Sequence, residues 1–159
     1  QGWFAPNQIL WMAAGFFLLA FLCGIPLVVA GGWPIVWIGL ISILMGYAYT
    51  GGPFPLAYVG LGDLFVILFF GLVAVGGVYF LQTGGYQVSA FVAGLQVGLL
   101  ATVLIAINNL RDLEQDRAAH KMTLAVRLGP KLGRFEVLLL ILLAFGLNVF
   151  WLNRGHYLA

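Results

Sequence analysis

Charged residues are almost missing from the first two thirds of the chain. Between Ile9 and Ile107, Asp63 is the sole acidic or basic residue. An apolar stretch of about 20 residues can cross the core of a bilayer as a helix. Charged residues are 8% of the whole sequence, too few to cover a soluble globule, and a net charge of +2 does not indicate a nucleic-acid partner. The sequence therefore predicts an all-α, multi-pass membrane protein.

Glycines, prolines and polar residues divide the apolar sequence into five predicted transmembrane helices. Their expected bounds are 9–30, 33–49, 62–81, 88–109 and 135–152. In the fourth, Gly94 and Gly98 have the four-residue spacing that lets two membrane helices pack closely. Gln96 and Thr102 of the same helix are therefore expected to face protein rather than lipid.

Residues 49–62, with the sequence YTGGPFPLAYVGLG, cannot form one regular helix, because they contain four glycines and two prolines. Irregular backbone is tolerated at membrane depth only where protein or a water-filled cavity satisfies its polar groups. The segment is either a cavity wall or an ordinary interfacial connector, and the sequence leaves both open. Asp63 follows in the first turn of the next span, where the helix dipole alone is enough to favour an acid.

Residues 108–129 hold most of the charge. If the fourth helix continues past the membrane, Asn108, Asp112 and Asp116 recur every four residues and lie on one side of it. Mg²⁺ prefers such oxygen ligands and shares the rest of its shell between water and substrate phosphate. Four bases could add charge-assisted contacts to a diphosphate: Arg111, Arg117, Lys121 and Arg127. On spacing alone, a solvated connector with weak surface ion pairs is the stronger interpretation.

The distribution of basic residues predicts the orientation in the membrane. Six of the seven Lys and Arg residues lie in the connector 110–134, and short loops with such an excess stay in the cytoplasm. Counting spans back from this connector places the turn at 82–87 outside and returns the segment 49–62 to the cytoplasmic side. Three further residues then share the face that carries the aspartates: Tyr49, Tyr58 and Asp63.

The string from 108 to 129 also has the pattern NNxRDxxxDRxxxKxTLAxxxG. This pattern resembles the second aspartate-rich motif of the UbiA-type intramembrane prenyltransferases. The NNLRD form of the motif and the stretch YTGGPFPLAYVGLGD at 49–63 are most similar to the branch that acts on 1,4-dihydroxy-2-naphthoate in menaquinone and phylloquinone synthesis. The resemblance covers most of the chain.

The resemblance implies a reaction and a set of roles. A polyprenyl or phytyl group would pass from its diphosphate to 1,4-dihydroxy-2-naphthoate with loss of the ring carboxylate, in the bacterial plasma membrane. Asp112 and Asp116 would hold Mg²⁺, with Asn108 completing or orienting the metal shell, and Lys121 would act with them in catalysis. The remaining residues would contact the substrates: Asn108, Arg111 and Arg117 on the diphosphate side, and Tyr49, Tyr58 and Asp63 along the acceptor pocket.

One departure from the family pattern is large. The family has about nine membrane helices and a first aspartate-rich motif ahead of the helix that matches residues 9–30, whereas no acid precedes Asp63 here. We therefore expect an internal fragment, approximately the third to seventh helices of a longer enzyme. Such a chain would need the missing helices as partners and would be inactive alone.

Three alternatives stay open. The enzyme could use another aromatic acceptor, such as 4-hydroxybenzoate or homogentisate. A transporter is disfavoured because it usually has ionisable groups inside its spans, and here Asp63 lies near the end of one. A non-catalytic membrane scaffold would need no pair of carboxylates one helical turn apart.

Overall fold

The computed structural model describes residues 4–53 and 55–155, and in these ranges it contains helices, turns and loops but no strand. Five helices are long and apolar enough to cross a membrane. They are α1 (Pro6–Gly31), α2 (Trp33–Thr50), α3 (Gly62–Thr83), α4 (Val88–Arg111) and α7 (Pro130–Leu152). Two short helices, α5 (Leu113–Ala118) and α6 (Leu124–Leu128), lie between α4 and α7. The chain is thus an all-α integral membrane protein of the predicted type.

The last long helix begins earlier than the sequence indicated. Pro130 is its first residue, whereas the apolar pattern placed the start at 135. Proline suits this position because the first helical residue has no partner for its N–H and the ring already fixes a helical φ. The apolar pattern missed the first turn because that turn carries Lys131 and Arg134.

The chain forms two compact units, residues 1–44 and 45–159. In the first unit, the side chain of Gln8 accepts a hydrogen bond of 2.8 Å from the N–H of Ala5, which satisfies one free donor at the start of α1. Gly32, with a φ of 66°, separates α1 from α2. Its left-handed backbone conformation is one that glycine adopts at little cost.

In the second unit, α3 and α4 pack through glycines. Gly71, in a π-helical segment of α3, lies against Gly94 and Gly98 of α4. A Cβ atom at Gly98 would lie 2.7 Å from the carbonyl oxygen of Ile67, so no larger residue fits without a shift. The close packing predicted from the spacing of Gly94 and Gly98 is confirmed.

Helix α4 also packs on α7, through an apolar cluster and a polar one. The apolar cluster consists of Leu99, Ala106, Leu140 and Ala144. Beside it, the Gln96 side-chain amide donates to the Ala144 carbonyl at 3.0 Å and to the Asn148 side chain at 2.7 Å, and it accepts from the Trp151 indole at 2.7 Å. Thr102 is fully buried, so both polar residues of α4 face protein as predicted.

The connection between α2 and α3 is irregular, as its glycines and prolines require. It folds back on the end of α2, where the N–H groups of Leu56 and Ala57 donate to the carbonyls of Ala48 and Tyr49, both at 3.0 Å. These bonds satisfy backbone groups that would otherwise be unpaired close to the membrane.

Candidate active site

Helix α4 does not continue unbroken through the aspartates. It ends at Arg111, and Asp112 has φ −95° and ψ 14° before α5 begins. Aspartate has a low helix propensity, which makes a break at this position inexpensive. The helical bonding pattern nevertheless persists, because the Asp112 N–H donates to the Asn108 carbonyl at 2.9 Å and the Asp116 N–H to the Asp112 carbonyl at 2.8 Å. The two aspartates therefore stay one helical turn apart, although Asp112 interrupts the helix between α4 and α5.

Two arginines of the segment are paired with neighbouring acids at the surface. The guanidinium of Arg111 donates to both carboxylate oxygens of Asp112, each at 2.7 Å, and this hydrogen bonding holds the pKa of Asp112 below its usual value. Arg117 donates to both oxygens of Glu114, at 2.9 and 3.0 Å. Exposed ion pairs contribute only about 0–1 kcal/mol. A phosphate could therefore take the place of Asp112 or Glu114 as the partner of its arginine at small cost.

The pair formed by Asp116 and Lys121 is more enclosed. Asp116 is buried, and the Lys121 ammonium lies 3.2 Å from each of its carboxylate oxygens. The main chain supports the pair, since the Lys121 N–H donates to the Asp116 carbonyl at 2.8 Å. These contacts hold Lys121 against the carboxylate of Asp116, which the resemblance assigned to Mg²⁺.

Lys121 also lines a cavity in the second unit. Tyr49 and Asp63, two of the residues expected to bind the acceptor, line the same cavity, and the irregular segment contributes Ala57, Gly60 and Gly62. The irregular segment thus forms part of the wall of this cavity. Asp63 is buried, and its Oδ1 atom has no hydrogen-bond partner among the described residues.

The other predicted site residues lie outside the cavity lining. Asn108 is exposed on α4, and Tyr58 is 40% exposed. Tyr58 instead contributes its carbonyl, which accepts a 2.9 Å hydrogen bond from the N–H of Met122. The predicted residues thus fall into a group around the aspartates and a group at the cavity, and Lys121 belongs to both.

Sequence reasoning assigned no site role to Asn109 and Thr123, although both line the cavity. Thr123 is buried and its hydroxyl caps α6 by accepting from the Val126 N–H at 3.4 Å. Helical periodicity could have identified Asn109, because Thr102 and Ala106 precede it on the same buried face.

The donor chemistry of the aspartate group fits Mg²⁺. Asp112 and Asp116 offer carboxylate oxygens one turn apart, and hydrogen bonding from Arg111 holds the pKa of Asp112 below its usual value. Within residues 4–53 and 55–155, no three His, Cys, Asp or Glu side chains form a metal-binding cluster. A shell with one or two carboxylates, completed by water and phosphate oxygens, is the usual one for this ion.

Comparison with known proteins gives the family. Residues 1–159 match the UbiA prenyltransferase family. The 1,4-dihydroxy-2-naphthoate octaprenyltransferase of Haemophilus influenzae is 43% identical over 130 residues, which are 77% of this chain and 42% of that protein. The protein of the same name from Bacillus subtilis is 33% identical over 79% of this chain and 40% of its own.

A third relative is the 2-carboxy-1,4-naphthoquinone phytyltransferase of Synechocystis sp., 31% identical over 80% of this chain and 42% of that protein. The chain thus spans about two fifths of the length of these relatives, between 40% and 42%. No solved structure matches it. The match along the whole sequence places this chain in the UbiA prenyltransferase family.

Proposed function

We propose that this chain carries part of the active site of an enzyme that transfers a polyprenyl or phytyl group from its diphosphate to 1,4-dihydroxy-2-naphthoate with decarboxylation, in quinone biosynthesis. The observation that carries the proposal is the position of Lys121, which pairs with Asp116 and also lines the cavity with Tyr49 and Asp63. The names of three relatives, two naphthoate octaprenyltransferases and a naphthoquinone phytyltransferase, support this substrate class.

On the diphosphate side, Asp112 and Asp116 would hold Mg²⁺, with Asn108 nearby at the end of α4. Bound Mg²⁺ neutralises charge on the diphosphate as its bond to the prenyl carbon ionises. Arg111 and Arg117 would exchange their exposed carboxylate partners for phosphate oxygens, which guanidinium groups bind well. Lys121 would turn from Asp116 toward the departing diphosphate.

On the acceptor side, the electron-rich naphthalene ring would lie at the mouth of the cavity, because the enclosed space of about 20 Å³ has room for about one water molecule. Tyr49 and Asp63 would contact the ring substituents, and Tyr58 would hold the wall through its main chain. Excluding water from this space protects the allylic cation from hydrolysis before the ring attacks it.

The proposal is tested by replacing Asp112 and Asp116 with asparagine in the natural protein that contains this sequence. We expect each change to lower Mg²⁺-dependent binding of prenyl diphosphate, and prenyl transfer by about two to three orders of magnitude, as for loss of a group that stabilises transition-state charge. Glu114→Gln is the matched control, because it removes an exposed acid that lies between the two aspartates in sequence. Unchanged binding and transfer in both aspartate variants would refute the proposal.

We also propose that these 159 residues do not transfer a prenyl group alone. They span about two fifths of the relatives, with 40–42% coverage, and in the described residues one pair of carboxylates stands at the site. The purified 159-residue chain, reconstituted in vesicles of its own, should give no prenylated product. The natural protein, reconstituted separately in the same way, should give it. Product formed by the isolated chain would contradict this.

The proposed orientation places the connector 110–134 in the cytoplasm, with the protein in the plasma membrane of a bacterium. Six of the seven basic residues support it. The hydrogen bond from Met122 to Tyr58 supports placing the irregular segment at the same end of the second unit.

A further inference from the structure

Asp63 presents an unused hydrogen-bond acceptor to the cavity. The residue is 6% exposed, it lines the cavity, and its Oδ1 atom has no partner in the part of the chain that the structure describes. Leaving a buried acceptor unpaired costs free energy, and a charged acceptor costs more than a neutral one. Such a group in a folded protein needs a donor from a ligand or from a bound water.

The surrounding residues do not satisfy this oxygen. The Thr102 hydroxyl donates to the Gly98 carbonyl at 2.8 Å and lies 3.4 Å from the main-chain carbonyl of Asp63, so it leaves Oδ1 unpaired. The Lys121 ammonium is 3.2 Å from both oxygens of Asp116 and so is already engaged. Glu136 of α7 is a second carboxyl group that acts electrostatically on Asp63. The position therefore favours a neutral donor and disfavours an anion.

We propose that Asp63 Oδ1 accepts a hydrogen bond from a free hydroxyl group of the aromatic acceptor and thereby selects hydroxylated rings and sets their orientation. This inference rests on the proposed function, because it concerns the acceptor of that reaction. It goes further because it names the protein atom that recognises the acceptor, Asp63 Oδ1, and the acceptor group that this atom recognises, a free hydroxyl.

The chemistry of 1,4-dihydroxy-2-naphthoate decides which hydroxyl this is. The 1-hydroxyl is adjacent to the carboxylate and hydrogen-bonds to it internally, so its proton is already used. The 4-hydroxyl is free, and it is the group that turns toward Asp63, while like-charge repulsion turns the ring carboxylate away.

The test measures equilibrium binding of 4-hydroxy-2-naphthoate and of 2-naphthoate to the natural protein that contains this sequence, without prenyl diphosphate. The two probes differ by the free hydroxyl alone. In the wild type, the hydroxylated probe should bind about 10- to 100-fold more tightly, as expected for a hydrogen bond to a charged group. Asp63→Asn should reduce this ratio, and Asp63→Leu should lower it to within about threefold of unity because no acceptor remains.

Glu136→Gln is the matched control. It removes a carboxylate that interacts electrostatically with Asp63 but leaves the acceptor at the cavity in place, so the ratio should stay close to that of the wild type. Equal binding of the two probes by the wild type would overturn the inference without any variant. A ratio that survives in both Asp63 variants, or no binding of either probe, would also overturn it.

Prenyl transfer to 1,4-dihydroxy-2-naphthoate, measured in the same preparation, separates the two proposals. A protein with the expected ratio of affinities but no transfer contradicts the proposed function and supports the recognition by Asp63. A protein that transfers the prenyl group but shows no preference for the hydroxylated probe contradicts the recognition by Asp63 alone.

Discussion

At the scale of single residues, Arg127 joins the two segments that enclose the cavity. Its Nε atom donates to the Met122 carbonyl at 3.0 Å, and its Nη2 atom donates to the Val59 carbonyl, 68 positions away in sequence, at 3.1 Å. Gly60 fits beneath this contact with a φ of +78°, and a Cβ there would lie 2.9 Å from the Met122 carbonyl oxygen. The sequence suggested an anion as the partner of Arg127, whereas the structure gives it two main-chain carbonyls.

Replacing Arg127 with lysine should loosen the cavity wall. An ammonium group cannot reach two carbonyls in the fixed geometry of a guanidinium, and each lost hydrogen bond costs about 0.5–1.5 kcal/mol. We expect the KM for the aromatic acceptor to rise by about 3- to 10-fold, while the KM for prenyl diphosphate changes little. Steady-state kinetics with each substrate varied in turn would measure this.

The control for that change is Arg134→Lys, at an exposed position of α7. It makes the same chemical substitution away from the carbonyls of Val59 and Met122. If both variants alter the two KM values equally, Arg127 has no specific part in positioning the wall.

The phase of α4 shows what the sequence could and could not predict at the residue scale. The spacing of the carboxylates drew attention to Asn108, but Thr102, Ala106 and Asn109 form the buried face. The fourfold spacing of Asn108, Asp112 and Asp116 was correct along the chain. The break between α4 and α5 lies in the backbone dihedral angles of Asp112, and spacing alone does not contain that information.

At the scale of helices, the sequence predicted one side of the α3–α4 interface. Gly94 and Gly98 were identified from their spacing, but their partner Gly71 was not. Helix α3 also contains Gly76 and Gly77, and spacing does not distinguish them from Gly71. The π-helical segment Ile67–Val73 widens the turn there and changes the phase of the residues that follow, so regular helical periodicity cannot identify the contact.

Adding one methyl group at this interface should destabilise the bundle. In Gly98→Ala, the new Cβ would lie 2.7 Å from the carbonyl oxygen of Ile67 and 3.0 Å from its Cα, and these are backbone atoms that cannot move independently. We expect a loss of about 1–3 kcal/mol, typical of overpacking. Unfolding of the purified protein in mixed micelles with increasing denaturing detergent would measure it.

Gly76→Ala is the matched control, because a Cβ at Gly76 would have no atom within 4 Å. There the change should be neutral or stabilising by up to about 1 kcal/mol, since alanine loses less entropy in a helix than glycine. Equal stability of the two alanine variants would show that the close approach of α3 and α4 contributes little.

At the scale of the whole molecule, the number of spans follows from apolar length, but the cavity does not. Each long helix is identified by its own composition, which is local information. The cavity depends on contacts between the irregular segment and residues 122–127, whose positions in the sequence are far apart. The family motif indicated that these two segments act together, although it did not give the hydrogen bonds that join them.

The proposed orientation can be tested by labelling single cysteines in intact cells. Cys23 is the one cysteine of the sequence, so Cys23→Ser gives a background for Gln82→Cys, just before the turn after α3, and Ala119→Cys, in the charged connector. Both sites are exposed. If the excess of Lys and Arg retains the connector in the cytoplasm as proposed, a membrane-impermeant maleimide should label the Gln82 variant in intact cells. It should label the Ala119 variant only after the membrane is permeabilised.

Labelling after detergent solubilisation controls for the reactivity of each thiol. The reverse pattern in intact cells would place Asp112, Asp116 and Lys121 outside, on the opposite side of the membrane from prenyl diphosphate made in the cytoplasm. The orientation and the reaction would then be incompatible, because the diphosphate is a charged headgroup that cannot cross the hydrocarbon core unaided. The sidedness of one connector therefore bears directly on the chemistry assigned to its aspartates.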